Sequence, residues 1–167
     1  MKNRRGTVPN PVVRTWLGRL VVAVLLVGVG AGLPSAYAQQ GSYRLQGLKG
    51  GELRPADLNK GVVIMVVFAS WSPRSRNIVP QVNAIVDRWG GQARVVMVSF
   101  QEDAATVEDF LSGKRAKATV YLDQDGDFSK SYAVTHLPSL LILKDGATGF
   151  SGKLPRDPDS IISQTIG

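Results

Sequence analysis

The chain has 167 residues, enough for one domain, and a formal charge of +7. The excess is local: residues 1–38 hold Lys2, Arg4, Arg5, Arg14 and Arg19 and no acid, which leaves 15 basic against 13 acidic residues in the remainder. That near balance excludes a nucleic-acid reading of the pI of 10.0, and the absence of cysteine excludes disulfides and a lipid-modified cysteine.

The first 38 residues read as a secretory signal peptide. A basic region precedes the apolar run Leu20 to Leu33, and Ala36-Tyr37-Ala38 forms an A-x-A cleavage pattern before Gln39. The run is short for a membrane span, which needs roughly 20 apolar residues. The expected location is periplasmic or secreted, with an inner-membrane anchor only if this segment is retained. The mature domain is then 39–167. It must be held by its core alone, which is feasible because domains near 150 residues bury roughly 68–70% of their unfolded surface.

In the mature part, Tyr43, Leu45 and Leu48 suggest a short strand and Gly50-Gly51 a turn. Gly61 then opens Val62-Val63-Ile64-Met65-Val66-Val67-Phe68, a β-branched run of the kind buried on both faces of a sheet. Ser72 suits a helix N-cap and Pro73 a first helical position. A helix is predicted from Pro73 to about Trp89, with Ile78, Val82, Ile85, Val86 and Trp89 on one face, Pro80 bending it from inside, and Gly90-Gly91 ending it. A strand ending in a helix N-terminus places residues 72 to 75 at the carboxyl edge of the sheet, where open α/β sheets put their chemistry.

Arg94 to Phe100 reads as a second buried strand, parallel to the first through a right-handed crossover. Thr106 to Leu111 is a short helix with Val107, Phe110 and Leu111 inward. Lys114-Arg115-Ala116-Lys117 reads as a solvated loop. Thr119 to Leu122 is a strand. Asp123-Gln124-Asp125-Gly126-Asp127 resembles the start of a calcium loop, but the twelfth position from Asp123 is Val134, where a bidentate Glu is required. The better reading is a turn before a helix at Phe128 to Tyr132. Pro138 suits the first residue of a strand running to Leu143, and Lys144-Asp145-Gly146 a hairpin turn. A weakly marked strand follows near Phe150 to Leu154. Asp157 or Asp159 can cap a C-terminal helix holding Ile161, Ile162 and Ile166.

Two of these stretches carry a resemblance. Phe68-Ala69-Ser70-Trp71-Ser72-Pro73-Arg74-Ser75, with Pro80 five residues on, resembles the FWA-x-W-C-x-x-C-x-x-x-x-P signature of thioredoxin-like proteins, closest to the TlpA/ResA-type periplasmic branch. Val134-Thr135-His136-Leu137-Pro138-Ser139 resembles that family's segment with a cis-proline facing the cysteine pair. The likeness covers roughly residues 41–167. It implies an α/β thioredoxin-like fold, a central mixed sheet flanked by helices, with Ser72 and Ser75 standing where the family has its two cysteines. Val66 stands where relatives carry a polar or acidic residue that moves protons.

Thiol–disulfide exchange needs an attacking thiolate and a second thiol to resolve the mixed disulfide. Oxygen cannot replace sulfur in it, so no catalytic residue, cofactor or metal is expected. His136, the only histidine, would lie near Ser72. A Ser–His nucleophile is disfavoured because no G-x-S-x-G elbow and no orienting acid are present. Arg74 reads as a solvated surface cation. What the resemblance leaves is a binding shelf of Trp71, Pro73, Arg74, His136, Leu137 and Pro138, with an open backbone edge beside the proline for an extended peptide or protein partner. The expected function is a redox-inactive binding or assembly module. The alternative is a noncatalytic partner in a thiol–disulfide oxidoreductase or cytochrome-maturation pathway.

Overall fold

A computed structural model describes residues 42–167. The expected signal segment, its expected cleavage point and the expected start at Gln39 lie outside the described residues. Seven strands form one mixed sheet: β1 Leu45–Gly47, β2 Glu52–Leu53, β3 Val62–Phe68, β4 Arg94–Phe100, β5 Thr119–Asp123, β6 Ser139–Lys144 and β7 Ala147–Lys153. Their spatial order is β2-β1-β5-β4-β3-β6-β7. The central strands β3, β4 and β5 are parallel, and β6, β7, β1 and β2 join antiparallel. This is the expected α/β thioredoxin-like architecture.

The β3 sequence explains its central place. Its side chains alternate between two faces, and neither face is polar. Ile64, Val66 and Phe68 enter one core, with Ile78, Val82 and Ile85 of helix α1 (Ile78–Trp89), Val107 of α2 (Ala104–Leu111) and Ile162 of α4 (Asp159–Ile166). Val63, Met65 and Val67 enter the other, with Tyr43, Leu53, Leu58 and Phe128 of α3 (Asp127–Ser131). Each fully buried aliphatic side chain contributes about 1.5–3 kcal/mol. Val66 is completely buried among apolar neighbours. α1 and α4 are fastened at one point, where Asp159 accepts from Trp89 Nε1 at 2.8 Å and pairs with Arg88 at 2.8 Å.

Several local expectations are corrected. The helix expected from Pro73 is interrupted: a 3-10 turn spans Pro73–Ser75, Asn77 leaves helical geometry, and α1 begins at Ile78. A rod continuous from Pro73 would need an amide hydrogen on Pro80, and the proline ring would crowd the carbonyl four residues back. Starting at Ile78 puts Pro80 in the first turn, where no donor is required. Gly90 ends α1 with right-handed geometry, φ −61°, rather than as a left-handed cap. α2 starts two residues before Thr106, because the Asp103 side chain accepts from the Thr106 amide at 2.7 Å and caps it. Of the α2 residues expected inward, Val107 is fully buried, whereas Phe110 and Leu111 are only partly covered. β6 begins at Ser139, one residue after Pro138.

The acidic turn after β5 has a structural use. Asp123 is buried and accepts from the amides of Phe128 at 3.0 Å and Ser129 at 2.9 Å, so both oxygens hold the start of α3. Gly126 makes the turn at φ +73°, a region open to glycine at little cost.

Candidate functional site

The carboxyl ends of β3 and β4 and the entry to β6 converge on one edge of the sheet. After Phe68 the chain makes two successive turns, with the Ser72 amide bonded to Ala69 O at 3.1 Å and the Ser75 amide to Ser72 O at 2.9 Å. These turns bury Ser72 and Ser75 and leave Trp71 between them and the strand, 64% exposed. From the other side comes the segment before β6, with a cis bond between Leu137 and Pro138. The Ser72 hydroxyl donates to Leu137 O at 3.4 Å across 65 positions of sequence. The two stretches singled out in the sequence therefore meet.

Ser72 occupies the expected N-cap position, in extended geometry with Pro73 next, but makes no capping bond. Its side chain bonds no amide of the following turn. Ser75 is fully buried, and among the described residues its hydroxyl has no hydrogen-bond partner. A buried hydroxyl without a partner costs about 1–3 kcal/mol. A thiol, a weaker hydrogen-bonding group than a hydroxyl, would lose less at such a position.

The shelf differs from expectation in membership. A hollow of about 370 Å³ is lined by Trp71, Ser72, Phe100, Val134, Thr135, His136 and Leu137. Pro73 and Arg74 are exposed but lie outside its lining, because the 3-10 turn directs them away. Pro138 is buried, and its carbonyl accepts from the Leu154 amide at 3.0 Å, so it roots the strand instead of facing the hollow. Among the described residues, the Leu137 amide has no hydrogen-bond acceptor, and its carbonyl is met only by the long Ser72 contact. Leu137 is therefore an open backbone position at the hollow.

His136 is exposed, and its Nδ1 lies 2.9 Å from the Thr135 hydroxyl. No carboxylate of the described residues orients the ring by a hydrogen bond, and Ser72 is turned to a carbonyl. The geometry contains no Ser–His–acid relay.

Sequence reasoning missed Glu102, a buried carboxyl beside the Trp71 turn. It accepts from the Ser70 amide at 3.0 Å to each oxygen, from the Ser70 hydroxyl, and from the Ser99 hydroxyl at 2.6 Å. Gln101, at φ +54°, turns the chain back after β4 so that Glu102 points inward. An acid directly after a buried strand, with a serine three residues before it, is the signal that could have found it. No described cluster of three or more His, Cys, Asp or Glu side chains is arranged to hold a metal ion.

Among curated proteins no sequence match was found. Solved structures do match. A protein assigned as thiol:disulfide interchange protein DsbE from Chlorobium tepidum aligns at TM-score 0.66 and 23% identity, over 77% of this chain and 96% of that one. The exposed lipoprotein thioredoxin of Streptococcus pneumoniae aligns at TM-score 0.65 and 20% identity, over 75% and 98%. StoA of Bacillus subtilis aligns at TM-score 0.62 and 18% identity, over 75% and 97%. At these identities the likeness is one of fold. A family model described as thioredoxin-like matches residues 59–148, more than half of the chain and spanning both stretches that build the site, and the chain belongs to that thioredoxin-like family.

Proposed function

We propose that the protein is an exported, redox-inactive member of this family that binds an extended polypeptide at the shelf formed by Trp71 and Leu137. The observation that carries the reading is the unpartnered Leu137 amide beside the exposed Trp71 ring. A free backbone donor flanked by an aromatic surface suits strand-like docking, in which main-chain bonds hold the ligand and side-chain contacts select it. Trp71 supplies the apolar anchor typical of such contacts. With no cysteine anywhere in the sequence, the chain has no atom to carry the electron pair of disulfide exchange.

The test uses a permanently unfolded, carboxymethylated polypeptide as ligand and the Leu137 amide and Trp71 indole as NMR reporters. Both signals are expected to shift on binding, and Trp71→Ala is expected to cost about 2 kcal/mol, roughly thirtyfold in Kd. Unchanged affinity in Trp71→Ala rejects the shelf. Measurable insulin reduction by the Cys-free chain rejects the redox-inactive reading. Export is tested by fractionation and N-terminal sequencing, with Gln39 expected as the first residue. Recovery of a thiol–disulfide oxidoreductase as the bound protein would assign the chain to that pathway as a noncatalytic partner.

A further inference from the structure

A second cleft lies at the opposite edge of the sheet, where β5 begins at Thr119 and β1 ends at Gly47. It encloses about 730 Å³, roughly twice the hollow at Trp71. Its walls are the C-terminal half of α2, the loop from Ser112 to Ala118 and the chain from Leu48 to Gly50. Ligand cavities of small molecules commonly fall between 300 and 1,000 Å³.

Its chemistry is two-sided. The lining carries Lys49, Lys114, Arg115 and Lys117 against a single acid, Glu108. Beneath them lie Leu48, Leu111 and Ala116, apolar side chains that the core covers only in part. Two of the four cations have evident structural uses. Lys114 donates to the Phe110 carbonyl at the end of α2 and sits 3.8 Å from the centre of the Phe110 ring. Lys117 is held by Asp87, with Nζ to Oδ2 at 2.6 Å. Lys49 and Arg115 have no side-chain hydrogen bond or ion pair among the described residues.

The loop that presents Arg115 is fixed in place. Asn83 of α1 donates to Arg115 O at 2.8 Å and accepts from the Lys117 amide at 2.9 Å, clamping both ends of the tripeptide. The facing wall is pinned by the Leu48 amide on Val120 O at 2.9 Å. A cleft already held in shape avoids most of the ordering cost of binding.

We propose that this cleft binds a small amphipathic anion, a carboxylate or phosphate head on an apolar body, with the head between Lys49 and Arg115 and the body over Leu48, Leu111 and Ala116. The alternatives fit less well. The chain's own N-terminal segment carries five cations and no acid, so its charge is wrong for the site. A polyanion needs a continuous basic track, and Glu108 and the Asp87 pair interrupt one here.

The probes are octanoate and octyl phosphate below their micellar concentrations, titrated into the ¹⁵N-labelled full chain, with octyl glucoside and inorganic phosphate as controls. Saturable amide shifts are expected in Leu48 to Gly50 and Leu111 to Val120. Lys49→Glu with Arg115→Glu is expected to raise Kd about tenfold or more, and added salt to weaken the wild-type complex. Preference for one octyl anion over the other identifies the head group. Equal binding of octyl glucoside, equal binding of inorganic phosphate, shifts confined to other regions, or an affinity indifferent to salt would each overturn the assignment. The salt series reads the wild type alone, so it stands even if the double variant folds poorly.

Discussion

Two buried polar groups lie beside the Ala69–Ser75 turns and have opposite surroundings. Glu102 has three donors within reach, two of them from Ser70 at the root of the turn. Ser75, at the other end, is fully buried, and its hydroxyl has no hydrogen-bond partner among the described residues. The difference separates scaffold from chemistry. The polar lock that fixes the turn beside Trp71 is complete, while the hydroxyl at Ser75 is left without a partner among the described residues. A binding role needs the first and is indifferent to the second.

That contrast breaks most visibly at Glu102. Glu102→Leu strands the Ser70 amide and the Ser99 hydroxyl in an apolar setting and is expected to cost about 3 kcal/mol in urea unfolding. Glu102→Gln retains one acceptor oxygen and is expected to cost less. A Leu variant as stable as wild type would remove the lock from the account. At the other pole, Ser75→Ala deletes the orphan hydroxyl and is expected to stabilise by about 1 kcal/mol, whereas Ser72→Ala, losing only a 3.4 Å contact, should be nearly neutral. A destabilised Ser75→Ala would mean that the hydroxyl has a partner after all, and the contrast would collapse.

The smallest effect concerns the exposed cap next to Glu102. Asp103 accepts from the Thr106 amide, and that bond holds its carboxyl below the ordinary value of 3.8. Its folded-state affinity for protons is thus reduced, so its contribution is present above that ordinary value and is lost as the pH falls through the lower folded one. Asp103→Asn keeps an acceptor at the cap and is expected to flatten this acid-side dependence while leaving stability at pH 7 nearly unchanged. Persistence of the same acid step in the Asn variant would assign it to another carboxyl.

Sequence periodicity carried the β3 and β4 strands to within a residue, because each is apolar on both faces and bounded by breakers. It carried the meeting of Ser72 with the Pro138 segment only through the family resemblance. What it missed has a common cause. The delay of α1 to Ile78 turns on whether a proline falls in a first turn or a second. The Glu102 lock depends on one side chain folding back over a positive-φ residue. The cleft at Lys49 and Arg115 depends on Leu111 being incompletely covered, although its spacing marks it as inward. Each is a tertiary contact of a single residue, and single residues leave no period to read.

The place of β3 between an early and a late strand sets the order in which the two sides of the Trp71 hollow can meet. β3 lies between β4, which follows it closely in the chain, and β6, which arrives only after β4, α2, β5 and α3 have been laid down. Trp71 is therefore synthesised long before Leu137 is there to complete its hollow. A nascent chain stopped short of Leu137 would lack the backbone that lines the other side of the Trp71 hollow, so the hollow exists only once that segment has been made.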